Sequence, residues 1–84
     1  MKLYKKELNK LCVVKWKDAK GIIRGEMNKF IKDGFAVNVT VGWLKYFDSD
    51  KIVMASEFTV GDDEVFDLNM IPRDWIEELK FVEE

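Results

Sequence analysis

The clearest pattern in the chain is the run Phe35–Phe47, in which Val37, Val39, Val41 and Trp43 recur at every second position with Asn38 and Thr40 between them. A period of two, carried by β-branched and aromatic residues, predicts a pleated and half-buried strand. Gly42 interrupts the run, and Leu44 and Tyr46 then carry apolar weight on the opposite parity. A glycine in that position predicts a bulge or bend, so one long strand could line two sides of a small barrel.

The same reading applies along the rest of the chain. Cys12, Val14 and Trp16 alternate with Lys15 and Lys17, which predicts a first strand ending near Asp18, with a turn over Asp18–Gly21. Ile52, Met54, Phe58 and Val60 share a parity within Lys51–Val60, and Phe66, Leu68 and Met70 do so within Val65–Ile71, each set expected to face inward. The polar stretches Asp48–Lys51 and Gly61–Glu64 are the intervening turns. Pro72 lacks a donor and ends the fourth strand, Pro72–Trp75 reads as one 3₁₀ turn, and a last strand is expected over Ile76–Val82.

Two segments depart from the period of two. Ile22, Ile23, Met27, Phe30 and Ile31 fall at helical spacing, predicting a short helix over Glu26–Lys32 that ends at Gly34. Leu3, Tyr4, Leu8 and Leu11 fit a short N-terminal helix or an extended arm. Five strands joined by tight turns, with one helical insertion after the first, predict a mainly β domain closed into a small barrel. The sequence Ile71–Ile76 between the last two strands resembles the 3₁₀ crossing of SH3-like and Sm-like barrels. The segments Val14–Ala19, Val41–Leu44, Met54–Glu57 and Ile71–Arg73, in that order, resemble a set of short, uncharacterised phage and prophage proteins. That second resemblance implies a compact accessory protein, with a host or defence protein that it blocks as the expected partner, and it carries over no catalytic residue.

Composition narrows the chemistry. The 84 residues are 48% hydrophobic and 36% charged, enough for one domain with a lean core, since a chain of this length buries only about 60–65% of its unfolded surface. The absence of histidine removes the usual general base and commonest metal ligand. Cys12, the one cysteine, sits on an apolar strand face and reads as a core thiol. The acidic clusters Asp48/Asp50 and Asp62–Asp67 lack calcium-loop spacing and read as turn residues. The expectation is a non-enzymatic protein with no cofactor and no metal. The N-terminus lacks the apolar core of a signal peptide and no run is long enough to span a membrane, which implies a cytoplasmic location.

Charge is unevenly distributed. Met1–Asp33 holds ten Lys/Arg and four Asp/Glu, whereas Gly34–Glu84 holds four and twelve. Halves of +6 and −8 suit pairing within one chain, head-to-tail self-association or an acidic partner on the basic side. Two sets of candidate binding residues follow. Arg73 and Trp75, with Lys45 and Tyr46, could form a protein-recognition patch, since Arg and Trp are enriched at hot spots. The ordinary alternative makes Arg73 a structural latch to Asp18 or Asp74, and Trp75 a plug in the barrel mouth. Lys15, Lys17 and Arg24 could serve an oligomeric Sm-like module that binds nucleic acid or nucleotides, although an isoelectric point near 5.2 argues against a dominant phosphate footprint.

Overall fold

The fold was described from a computed structural model, which places residues 1–18, 27, 36–61 and 64–82. Five strands form one antiparallel sheet: β1 (Leu11–Asp18), β2 (Ala36–Phe47), β3 (Lys51–Phe58), β4 (Val65–Pro72) and β5 (Ile76–Phe81). Their order across the sheet is β4-β3-β2-β1-β5. The strand boundaries lie within two residues of those expected from the alternating pattern, and Arg73–Trp75 forms the expected 3₁₀ turn between β4 and β5.

The sheet is not closed, which corrects the expectation of an SH3-like or Sm-like barrel. Closure would need a ladder between β4 and β5, and none joins them among the described residues. β4 directs its pairing to β3 and β5 to β1, so the strands part from their shared 3₁₀ corner and each remains an edge. The N-terminal helix is also corrected: only a 3₁₀ turn forms, over Lys5–Glu7, with the Tyr4 amide donating to Glu7 Oε1 at 3.0 Å. Leu3, Tyr4 and Leu8, interrupted by lysines, are too few to stabilise a longer helix. The helix expected over Glu26–Lys32 lies outside the described residues, apart from Met27, which is exposed. No helix among the described residues is long and apolar enough to cross a membrane.

Directly opposed residues of an antiparallel ladder share a face, so the register sorts the side chains. Cys12 lies opposite Gly42 and Phe81, Val14 opposite Thr40 and Leu79, and Trp16 opposite Asn38 and Ile76. Leu44 pairs with Met54, and Ile52 joins Phe47 to Ile71. This is the core face, where Cys12, Val14, Leu44, Ile52, Met54 and Ile71 are buried, with Leu3, Leu8, Trp16 and the apolar residues of β5 packed against them. The N-terminal arm is therefore docked. The Asn9 amide donates to the Leu44 carbonyl at 2.7 Å, and the Leu44 amide donates to the Lys10 carbonyl at 3.0 Å.

Val37, Val39, Val41 and Trp43 lie on the other face, with Val13, Val53, Ala55, Leu68 and Met70. The inward orientation expected for Phe66, Leu68 and Met70 is corrected, because all three are exposed, as are Val37, Val39 and Val41. Val60 falls beyond β3 and is exposed as well. Gly42 does mark a close approach: a Cβ there would stand 2.6 Å from the Ala55 carbonyl oxygen. The bulge itself comes slightly later, with Lys45 as the extra residue between the Leu44–Met54 and Tyr46–Val53 pairs. That bulge keeps Trp43 and Tyr46 on one face despite their opposite parity.

Candidate interaction surface

Asp48 builds the corner where several candidate residues meet. Its carboxylate accepts from the Asp50 and Lys51 amides at 2.8 and 2.9 Å, from Lys51 Nζ at 2.8 Å and from the Tyr46 hydroxyl at 3.1 Å. Bonds to the ionised form, led by that from Lys51, hold the Asp48 carboxyl well below the usual carboxylate range. The same pairing raises the Lys51 ammonium. Tyr46 is thus tied to the β2–β3 turn, with Lys51 Nζ 5.7 Å from its ring centroid.

Arg73 is a latch, but not to the carboxylates expected. Its Nη1 donates to the Asp48 carbonyl at 2.8 Å, its Nη2 donates to the Met1 carbonyl, and its amide donates to the Asp50 carbonyl at 2.8 Å. These bonds fasten the 3₁₀ corner to the β2–β3 turn and the chain start. Trp75 stacks on Trp16, with centroids 6.2 Å apart and planes at 17°, while Trp16 Nε1 donates to Thr40 Oγ1 at 3.0 Å. Trp75 keeps 41% of its surface exposed, so it flanks the core more than it seals it. Lys45, on the bulge, donates to Asn9 Oδ1 and lies 4.1 Å from the Phe58 ring centroid. Tyr46 and Arg73 therefore share Asp48, whereas Lys45 and Trp75 are engaged elsewhere, with Asn9 and Phe58 and with Trp16. Beside the corner runs an open cleft lined by Met1, Ser49, Arg73, Asp74, Ile76 and Glu77.

Across the outer face of β1, Lys17 pairs with Glu77 at 3.0 Å, Lys15 stands directly opposite Glu78, and Lys80 pairs with Glu78 at 3.1 Å. Part of the charge asymmetry is thus answered within the chain, between β1 and β5. Arg24 lies outside the described residues. Among those described, no group of three or more His, Cys, Asp or Glu is placed to hold a metal ion. Burial pushes the Cys12 thiol up to about 11.

The apolar side chains of β4 lie on the face opposite to the one expected from the sequence. Phe66, Leu68 and Met70 on β4 are 38%, 57% and 65% exposed, and the register sets Leu68 beside Ala55 and Met70 beside Val53. Val53 in turn pairs with Tyr46, which is 48% exposed, and Ala55 with Trp43. A row of apolar side chains thus crosses β2, β3 and β4 on the face opposite the core. Glu57, across from Phe66, is the acid at its margin. Alternation signals that two faces exist; it carries no label for the one that remains uncovered.

Neither the family models, nor the curated proteins, nor the solved structures contain a match to this chain. The resemblance to phage and prophage proteins is corrected accordingly. Its four segments are three to six residues long and made of common strand and turn residues, too little to mark descent.

Proposed function

We propose that this chain is a non-enzymatic protein-binding module that recognises its partner through the outer face of β2–β4. The observation that carries the reading is the exposed row formed by Tyr46, Phe66, Leu68 and Met70 beside Val53. Scattered apolar residues on a surface are ordinary, whereas a contiguous set on one sheet face marks a contact site. Glu57 at the margin, and the net −8 of Gly34–Glu84, favour a partner whose apolar patch is rimmed by lysine or arginine. Aromatic and methionine side chains suit such a contact, since both are enriched at interface centres.

The test compares the parent with a Leu68→Asp/Met70→Asp double variant, each immobilised and exposed to extract of the source cells. Both positions are exposed, so the variant should keep the parent's circular dichroism and melting temperature. The expected result is a protein set retained by the parent, weakened by salt and lost on the variant. Equal retention by both, or by neither, sinks the reading. The nucleic-acid reading through Lys15, Lys17 and Arg24 ranks behind it, because Glu77 and Glu78 offset the two lysines. Salt-sensitive binding of a single-stranded oligonucleotide by the parent would reverse that ranking.

A further inference from the structure

β2 is longer than its partner on one side. Its whole first half pairs with β1, from Ala36 opposite Asp18 to Trp43 opposite Leu11. On its other side, β3 pairs only with Trp43, Leu44, Tyr46 and Phe47. Among the described residues, the backbone of β2 from Ala36 to Gly42 is therefore laddered on one side and open on the other. An open edge is a template for another strand, and proteins usually blunt it with lysine, proline or a bulge. None of these devices is present in Ala36–Gly42, which also lacks any charged residue in a chain that is 36% charged. Such windows of high β-propensity and no charge are the ones that pair readily.

The order of residues along this edge supplies the second argument. Val37-Asn38-Val39-Thr40-Val41 reads the same in both directions as apolar-polar-apolar-polar-apolar. We propose that this open edge of β2 binds the same edge of a second copy, antiparallel about a two-fold axis through Val39. Val37 then lies opposite the partner's Val41, Val39 opposite the partner's Val39, and Asn38 opposite the partner's Thr40. Valine meets valine on the outer face and amide meets hydroxyl on the core face, with no charge brought against its like at the seam. The three valines, now 53%, 63% and 57% exposed, would each gain an apolar neighbour across the seam. A single strand pair buries less than the ~800 Å² per partner of a standard interface, so dissociation in the micromolar range is expected. This goes beyond the proposed function: it uses the edge of β2, and the Leu68→Asp/Met70→Asp variant should leave it unchanged.

The experiment is sedimentation velocity from 1 µM to about 1 mM, where a standard interface area and a single strand pair predict different strengths. The parent should shift from monomer to dimer across that range. Val39→Lys and Val39→Glu, each of which sets like charges opposite one another at the axis, should weaken the dimer about 10-fold or more; both should keep the parent's circular dichroism, with Val39→Glu melting slightly above Val39→Lys because Lys15 faces this position within the chain. Mixing the two variants should restore a dimer containing one of each. A parent that stays monomeric throughout, a dimer that survives in both single variants, or variants that fail to pair with each other would each overturn the proposal.

Discussion

Leu44 and Val39 sit on the same strand, are both apolar, and lie on opposite faces. Leu44 is wholly buried, in contact with a cluster drawn from β1, β3, β4 and the N-terminal arm, whereas Val39 is mostly exposed. The difference does not come from the two residues. It comes from what the chain can bring to each face: Leu3, Leu8 and the apolar side of β5 cover the core face, whereas on the other face, among the described residues, only Ala55 is fully buried. A sheet hydrophobic on both sides is half finished when only one side is packed. The uncovered face is where partners, copies or aggregation will act.

Mutations at paired positions turn that comparison into numbers. The largest effect belongs to the core face: Leu44→Ala or Ile52→Ala should cost about 2–5 kcal/mol in urea unfolding, because each leaves a cavity in a small, fully buried cluster. A cost below about 1 kcal/mol would mean that the core face is far looser than its burial indicates. Gly42→Ala comes next. Its methyl would meet the Ala55 carbonyl, a backbone atom that cannot swing aside, at a cost of about 1–3 kcal/mol.

Asp48 provides a pH test of the corner that joins the faces. Its folded pKa is depressed, so its contribution is complete above the unfolded carboxylate value, about 3.9, and fades as pH falls below it. Asp48→Asn should lower the melting temperature near pH 6 and flatten the remaining decline between pH 5 and 2.5. Identical profiles for parent and variant would show the hydrogen-bonded turn to be neutral. The smallest effect is expected on the outer face, where Leu68→Thr and Val39→Thr should change stability in dilute solution by no more than about 0.5 kcal/mol. A cost comparable to that of Leu44→Ala would reveal a cover for that face.

The strands were legible because alternation and turn chemistry act locally. Cys12/Val14/Trp16 and Ile52/Met54 identified both their strands and their burial, and Pro72 marked the end of β4. The failures share one cause: they concern long-range geometry. The parity of Val37, Val39 and Val41 is perfect for a strand but equal evidence for either face, and only the cross-strand register placed them outside. The polar look of Asn38 and Thr40 hid a core side, since Thr40 is occupied by the Trp16 indole. The expectation of barrel closure rests on five closely spaced strands and on the resemblance of the 3₁₀ turn after Pro72 to a barrel crossing, yet such a turn can join two edges without pairing them. At the candidate site, the latch role of Arg73 was foreseeable from its place after a proline; its carbonyl partners at Asp48 and Met1 were not, because backbone acceptors leave no trace in residue identity.

The position of β1 also has a consequence in time. It is the second strand in from one edge, held on one side by β2 and on the other by β5, the most C-terminal strand. A ribosome delivers residues at about 5–20 per second, so Cys12 and Val14 emerge several seconds before Leu79 and Phe81 exist to cover them. During synthesis the nascent chain must carry Cys12 and Val14 uncovered on this side, and any chain released before β5 would leave β1 as an edge in its place. Of these five strands, the last to be made is the one that completes the first.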